Sequence, residues 1–173
     1  MLPKLSLILG GASSGKSAFA ESLVVQSEAP RVYLATAQAF DDEMRTKIAA
    51  HLRMRGSDWR TLETPLTAAQ ALKAISAEEV VLLDCATMWL SNHLLAESDL
   101  AHETSQLLLA LSNCKARVVV VSNEVGLDVV PDNALARQFR DAQGKLNQSI
   151  AAQADFAALV VAGLPMVLKG VMP

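Results

Sequence analysis

Residues Gly10, Gly11, Ala12, Ser13, Ser14, Gly15, Lys16 and Ser17 fit the spacing G-x-x-x-x-G-K-[ST]. Glycines in such a loop let the backbone curl until successive N–H groups converge on phosphate oxygens. Lys16 would then reach the β- and γ-phosphates of a nucleoside triphosphate, and the Ser17 hydroxyl would ligate Mg²⁺. The string is common, but its flanks make it specific. An apolar run at 5–9 precedes it, and an amphipathic stretch at 16–26 follows, whose helical N-terminus adds a positive pole. Asp84 ends another apolar run, V-V-L-L-D, where a carboxylate would hold Mg²⁺ directly or through water. Capping of the next helix is the structural alternative for Asp84. Asn123 and Glu124 follow a third run in the same way, which makes Glu124 a second candidate polar group, again with a structural alternative.

Those residues meet only if their strands are parallel, because parallel strands end on one edge. The chain supplies that pattern. Strands are predicted at 5–9, 31–36, 59–64, 80–83, 117–122 and 156–162, the third of them weaker. Helices are predicted at 16–26, from Asp41 or Asp42 to Gly56, and at 66–76, 87–96, 102–114 and 133–154. Strands alternating with helices imply an α/β fold with a mainly parallel sheet covered on both faces. No repeat, linker or low-complexity block divides it, so residues 1–173 read as one nucleotide-binding domain.

Composition narrows the classes. Hydrophobic residues make up 51% and charged residues 19%, so a folded core is expected rather than disorder. Aromatics reach only 4%, so that core must be aliphatic. The net charge of −3 and the lack of a basic stripe argue against nucleic acid as a partner. The basic run 47–60 reads as a solvated helix face. The longest apolar stretch, 156–168, is too short for a membrane span and is interrupted by Gly163 and Pro165. With no leader pattern at the N-terminus, the expected location is cytoplasmic. Cys85 and Cys114 lack metal-type spacing and read as buried, reduced thiols.

Of three histidines, His93 and His102 sit among polar helical residues and are expected at the surface. His51 shares a predicted helix face with Met44 and Ile48. Periodicity alone gives it a structural place at the rim of an apolar face.

The wider pattern adds to this. The blocks G-G-A-S-S-G-K-S (10–17), Y-L-A-T-A (33–37), D-D-E-M with His51 downstream, and W-R-T-L-E (59–63) occur in order. They are followed by L-L-D-C-A-T (82–87), V-S-N-E-V-G (121–126), V-P-D-N-A-L-A-R-Q-F-R-D (130–141) and G-K-L-N-Q (144–148). On these the chain resembles the bifunctional adenosylcobinamide kinase / adenosylcobinamide-phosphate guanylyltransferase family, over nearly its whole length.

The resemblance implies a P-loop NTPase-like, RecA-like fold and two activities. A nucleoside triphosphate, ATP or GTP, phosphorylates adenosylcobinamide; GTP then donates GMP to that phosphate. His51 matches the family's histidine that carries GMP covalently. A neutral imidazole is a sound nucleophile for the α-phosphorus near pH 7. Nucleotide contacts carry over to 10–17, to Ala35, Thr36 and Ala37, to Leu52, Arg53, Met54 and Arg55, to Glu63 and to Asp84. Glu63 would accept hydrogen bonds from guanine. Catalysis falls to His51 and Lys16, and Mg²⁺ to Ser17 and Asp84. The resemblance also implies a corrinoid partner and a homo-oligomer, a trimer, with the corrinoid between subunits. The chain departs from the pattern at Ser13, where many members carry Arg, and at Ala50, where some carry a second histidine. Two other readings stay open on the residues alone: a P-loop small-molecule kinase without guanylyl transfer, and a regulatory P-loop NTPase.

Overall fold

The computed structural model describes residues 1–38 and 58–173. The elements run β1 (Leu5–Gly10), α1 (Lys16–Val25), β2 (Arg31–Ala35), β3 (Trp59–Glu63), α2 (Ala68–Lys73) and β4 (Val80–Asp84). They continue with α3 (Ala86–Leu95), α4 (Leu100–Asn113), β5 (Arg117–Asn123), α5 (Ala134–Gln153), β6 (Phe156–Val161) and β7 (Leu164–Lys169). The helix predicted to end at Gly56 lies outside the described residues, as do His51, Leu52, Arg53, Met54 and Arg55.

The strands form one sheet in the order β3-β2-β4-β5-β1-β6-β7. Every pairing is parallel except β6 with β7. The central strands are aliphatic and rich in branched residues, as a sheet covered on both faces requires; β1 and the V-V-V-V-S run of β5 are wholly buried. This is the α/β fold with a mainly parallel sheet expected from the alternation of strands and helices, and with the loop 10–17 joining β1 to α1 it is the P-loop NTPase-like architecture that the resemblance implies.

Alternation along each strand sorts the side chains between two cores. Leu7, Leu9, Val32, Leu34, Val81, Leu83, Val118 and Val120 pack on one face against α2, α3, α4 and α5. Ile8, Tyr33, Leu82, Val119 and Val121 pack on the other against Ala20, Leu23 and Val24 of α1. The same parity puts the last residues of five strands, Glu63, Ala35, Asp84, Asn123 and Gly10, on the α1 side of the sheet's C-terminal edge.

Two expectations change, the capping alternative for Asp84 falls, and one strand is added. Asp84 does not cap α3; the N-cap is Cys85, whose sulfur accepts from the Met88 N–H at 3.4 Å. His93 is not at the surface. It is 3% exposed, its ring tilted against Trp89 with centroids 4.5 Å apart, and its ring nitrogens meet Ser98 Oγ and the Leu66 carbonyl. The strand predicted at 156–162 is β6, and the rest of the apolar stretch 156–168 lies in an unpredicted strand, β7, reached after Ala162 and Gly163 turn the chain with φ of 53° and 78°. The helix predicted at 66–76 is only Ala68–Lys73. Both cysteines are buried and free, as read from their spacing.

Candidate nucleotide site

The phosphate loop is fixed by backbone fit. A Cβ on Gly10 would stand 2.8 Å from the Val160 carbonyl oxygen and closer still to Ser14 Oγ, so only glycine fits there. Gly15 caps α1 with φ of 92°, and a Cβ there would lie 3.0 Å from Gly163 Cα. Gly11, by contrast, has open space around its missing Cβ. Ser13 also takes a left-handed conformation, φ 54°. Such curling turns consecutive N–H groups inward, which is the anion-cradling geometry.

Neighbouring strands hold the loop from both sides. The Gly163 N–H donates to the Ser14 carbonyl at 2.8 Å, and the Glu124 N–H donates to the Gly10 carbonyl at 3.1 Å. Lys16 Nζ donates to the Gly11 carbonyl at 3.0 Å, so the ammonium is folded over the loop. Burial pulls its pKa below the ordinary lysine value, against the opposing influence of Cys85 and Asp84. Ser14 Oγ is buried without a hydrogen-bond partner among the described residues, and the loop thus keeps an unused polar atom of its own.

Asp84 stands two strands away from the loop's strand, with β5 between them, or about 10 Å at ordinary strand spacing. Its carboxylate accepts from Tyr33 Oη at 3.1 Å. The corner that follows is built from buried side chains. Thr36, fully buried, accepts from the Cys85 N–H and donates to the Cys85 carbonyl, both at 2.7 Å. Asn92 Nδ2 donates to the carbonyls of Thr36 at 2.8 Å and Pro65 at 3.0 Å. The Thr36 side chain thus acts on the corner's backbone. Burial pushes the Cys85 thiol up to about 11, and nearby Asp84 adds to the effect.

Glu63 lies exposed at the end of β3, in register with Ala35, which is in register with Asp84. The loop 10–17, Ala35, Thr36, Asp84 and Glu63 therefore share one edge. Ala37 follows Thr36 directly. Glu124 begins at the same edge, but its carboxylate accepts from the Gly126 N–H at 2.6 Å and so shapes the loop after β5.

Several supporting residues were not singled out from the sequence. Tyr33 and Asn92 are two. Gly163, noted there only as a break in an apolar run, is a third. Ser122, Thr87, Gln143 and Asn147 form a buried hydrogen-bonded set behind β5. Ser122 Oγ donates to Asn147 Oδ1 at 2.6 Å, and Gln143 Nε2 donates to both at 2.9 Å. Thr87 Oγ1 accepts from the Asn123 N–H at 2.7 Å, and Asn147 Nδ2 donates to the Asn123 carbonyl at 3.0 Å. The only local signal for this set was the i, i+4 spacing of Gln143 and Asn147 on one helix face.

No group of three or more His, Cys, Asp or Glu side chains among the described residues is arranged to hold a metal ion. One carboxylate and one hydroxyl, Asp84 and Ser17, suit Mg²⁺, which keeps waters and takes further oxygens from phosphates. No helix of the described residues is long and apolar enough to cross a membrane.

The fold is shared with a solved structure from Pyrococcus horikoshii OT3, titled as a structural study of project PH0250. The TM-score is 0.57 at 8% identity, over 99% of this chain and 88% of that one. Curated relatives are closer in sequence. The bifunctional adenosylcobalamin biosynthesis protein CobP of Pseudomonas aeruginosa is 47% identical over 95% of this chain and 96% of its own length. The proteins named CobU are 40% identical in Salmonella typhimurium and 39% in Escherichia coli, each over 94% of this chain and 98% of theirs. The model of the cobinamide kinase / cobinamide phosphate guanyltransferase family matches residues 6–168. With that match spanning nearly all of a chain whose phosphate loop and Asp84 share one sheet edge, the protein belongs to the cobinamide kinase / cobinamide phosphate guanyltransferase family.

Proposed function

We propose that residues 1–173 act as one nucleotide-binding domain with two successive activities. It phosphorylates adenosylcobinamide with a nucleoside triphosphate, then transfers GMP from GTP to the resulting phosphate, giving adenosylcobinamide-GDP. The observation that carries this reading is the shared edge itself. A glycine-fitted phosphate loop and a strand-end carboxylate lie two strands apart, in a chain of this family.

In the first activity the loop 10–17 cradles the phosphates of ATP or GTP, and Lys16 neutralises charge on the β- and γ-phosphates. Partial desolvation of Lys16 strengthens that interaction, because a less hydrated ammonium gives up less on meeting phosphate. Ser17 and Asp84 would hold Mg²⁺, which when bound screens the charge of the triphosphate. Asp84 is kept in place by Tyr33 and by the Thr36–Cys85 bonds.

In the second activity an imidazole nitrogen of His51 attacks the α-phosphorus of GTP. The bond from that phosphorus to the bridging oxygen breaks, and pyrophosphate leaves. A phosphate oxygen of adenosylcobinamide-phosphate then attacks the same phosphorus; the P–N bond breaks and His51 is regenerated. Ala35, Thr36, Ala37, Leu52, Arg53, Met54 and Arg55 complete the nucleotide site on this reading. Glu63 accepts from guanine N1–H and N2–H₂, so Glu63→Gln would weaken the preference for GTP. The working form is a cytoplasmic homo-oligomer, a trimer, with the corrinoid held between subunits.

The test is conversion of adenosylcobinamide, followed by product mass, with ATP and GTP supplied together and then singly. The reading expects the phosphate and then the GDP derivative, with both lost in Lys16→Ala. Phosphate without the GDP derivative would leave a plain kinase. Nucleotide hydrolysis indifferent to the corrinoid would leave a regulatory NTPase.

A further inference from the structure

Between β5 and α5 the chain makes a loop, 124–133, that exposes a cluster of aliphatic side chains. Leu127 is 86% exposed, Val129 84% and Val130 62%. Exposed apolar side chains grouped together usually mark a binding surface. This loop is also well tethered. Arg137 donates to the carbonyls of Pro131 at 2.9 Å and Asp132 at 2.7 Å. Arg140 donates to those of Asp128 and Val129, each at 3.4 Å, and Glu124 accepts from the Gly126 N–H. The backbone is thereby held while the aliphatic tips face outward, an arrangement that lowers the entropy lost when a ligand binds.

Position and chemistry select the ligand. The loop starts at Glu124, whose N–H is bonded to Gly10 of the phosphate loop. Three residues of extended chain span at most about 11 Å, so Leu127 lies within that reach of Glu124. Beside the loop is a depression of about 340 Å³ lined by Gly126, Arg140, Asp141, Gly144, Lys145 and Gln148. Gly144 leaves its floor open, since a Cβ there would meet nothing within 4 Å. The surface is therefore an apolar tip next to a polar shelf that carries the cations of Arg140 and Lys145 and the carboxylate of Asp141. That combination suits a large amphipathic ring whose edge carries amides and whose phosphate-bearing arm must reach the phosphate loop.

We propose that the loop 124–133 and the adjoining face of α5 form the acceptor subsite. Leu127, Val129 and Val130 cover the corrin macrocycle, and Arg140, Lys145 and Gln148 receive its peripheral amides. The proposal rests on the family reading above for the identity of the acceptor. The subsite sets the affinity for the acceptor and leaves nucleotide chemistry to the loop 10–17.

Steady-state kinetics on the full-length protein test this, with Leu127→Ser and Val129→Ser compared with Leu109→Ser, a control that is also exposed but lies on α4. The probe is adenosylcobinamide, with GTP as donor and GTP affinity read separately by calorimetry. KM for adenosylcobinamide is expected to rise about tenfold in each loop variant, the loss of one well-buried aliphatic contact. It should recover in Leu127→Met and stay near wild type in the control. An unchanged KM in both loop variants, on a wild type that makes product, overturns the subsite and leaves the family reading intact. A rise in KM that tracks dissociation of an oligomer in sedimentation overturns it too, making the loop a contact between copies of the chain. A wild type that neither binds adenosylcobinamide nor modifies it takes both readings down.

Discussion

The phosphate loop and the corner after β4 lie on one sheet edge and are built by opposite means. The loop is shaped by what is missing: Gly10 and Gly15 stand where a Cβ would strike Ser14, Val160 or Gly163. The corner is shaped by what is added. Thr36, just past β2, and Asn92 of α3 reach in to hold the backbone beside Asp84, and Tyr33 meets its carboxylate. The first kind of construction is local and leaves a string in the sequence. The second joins residues 49 or more positions apart and leaves none.

If that contrast is right, the loop should fail sterically and selectively. Gly10→Ala places a methyl against the Val160 carbonyl, which cannot rotate away, and should weaken GTP binding about 30-fold or more. Gly11→Ala meets only open space and should stay within about twofold. Calorimetric titration of both variants with GTP checks the ordering; equal losses would mean that the glycines act through flexibility rather than fit.

The corner should fail through unmade hydrogen bonds. Thr36→Val keeps the shape but strips the partner from the buried Cys85 N–H and carbonyl, costing about 2–3 kcal/mol of stability. Urea denaturation reads this directly. A loss below about 0.5 kcal/mol would show that the threonine merely fills space.

A smaller effect concerns Cys85. Its folded-state value of about 11 stands above the ordinary thiol value of 9.0, so the folded chain holds its proton where the unfolded chain gives it up. The stability this confers is complete below pH 9 and is lost as pH rises towards 11, a fall of about 1–3 kcal/mol. Unfolding free energy measured across that range should drop more for wild type than for Cys85→Ala. Parallel curves would place the thiol in contact with water.

The sequence carried most of the sheet, because buried parallel strands are uninterrupted aliphatic runs and their order of appearance alternates with helices. The phosphate loop was legible for the same reason that it is fragile. What escaped was set by tertiary contacts. His93 sits beside Asn92 and Ser91 in a stretch that reads as polar surface, yet both His93 and Asn92 are buried, bonded to backbone around 65–66. The β6–β7 turn was only half visible: Gly163 and Pro165 break the apolar run, but Ala162 takes a left-handed conformation that favours glycine or asparagine, so the tight hairpin went unread. That turn then supplies the Gly163 N–H to the phosphate loop. The partnership of Ser122, Gln143 and Asn147 depended on α5 docking behind β5, which no single segment announces. The roles of His51 and of Leu52, Arg53, Met54 and Arg55 rest on the resemblance, since they fall outside the described residues.

We propose above all that His51 of this chain carries GMP between the two steps. Intact-mass measurement after incubation with GTP and Mg²⁺, without corrinoid, tests it most directly beside His51→Ala. The account predicts a gain of one GMP on the wild type alone, labile to acid and discharged by adenosylcobinamide-phosphate. An unmodified wild type under conditions where GTP demonstrably binds, or the same adduct on His51→Ala, would contradict it.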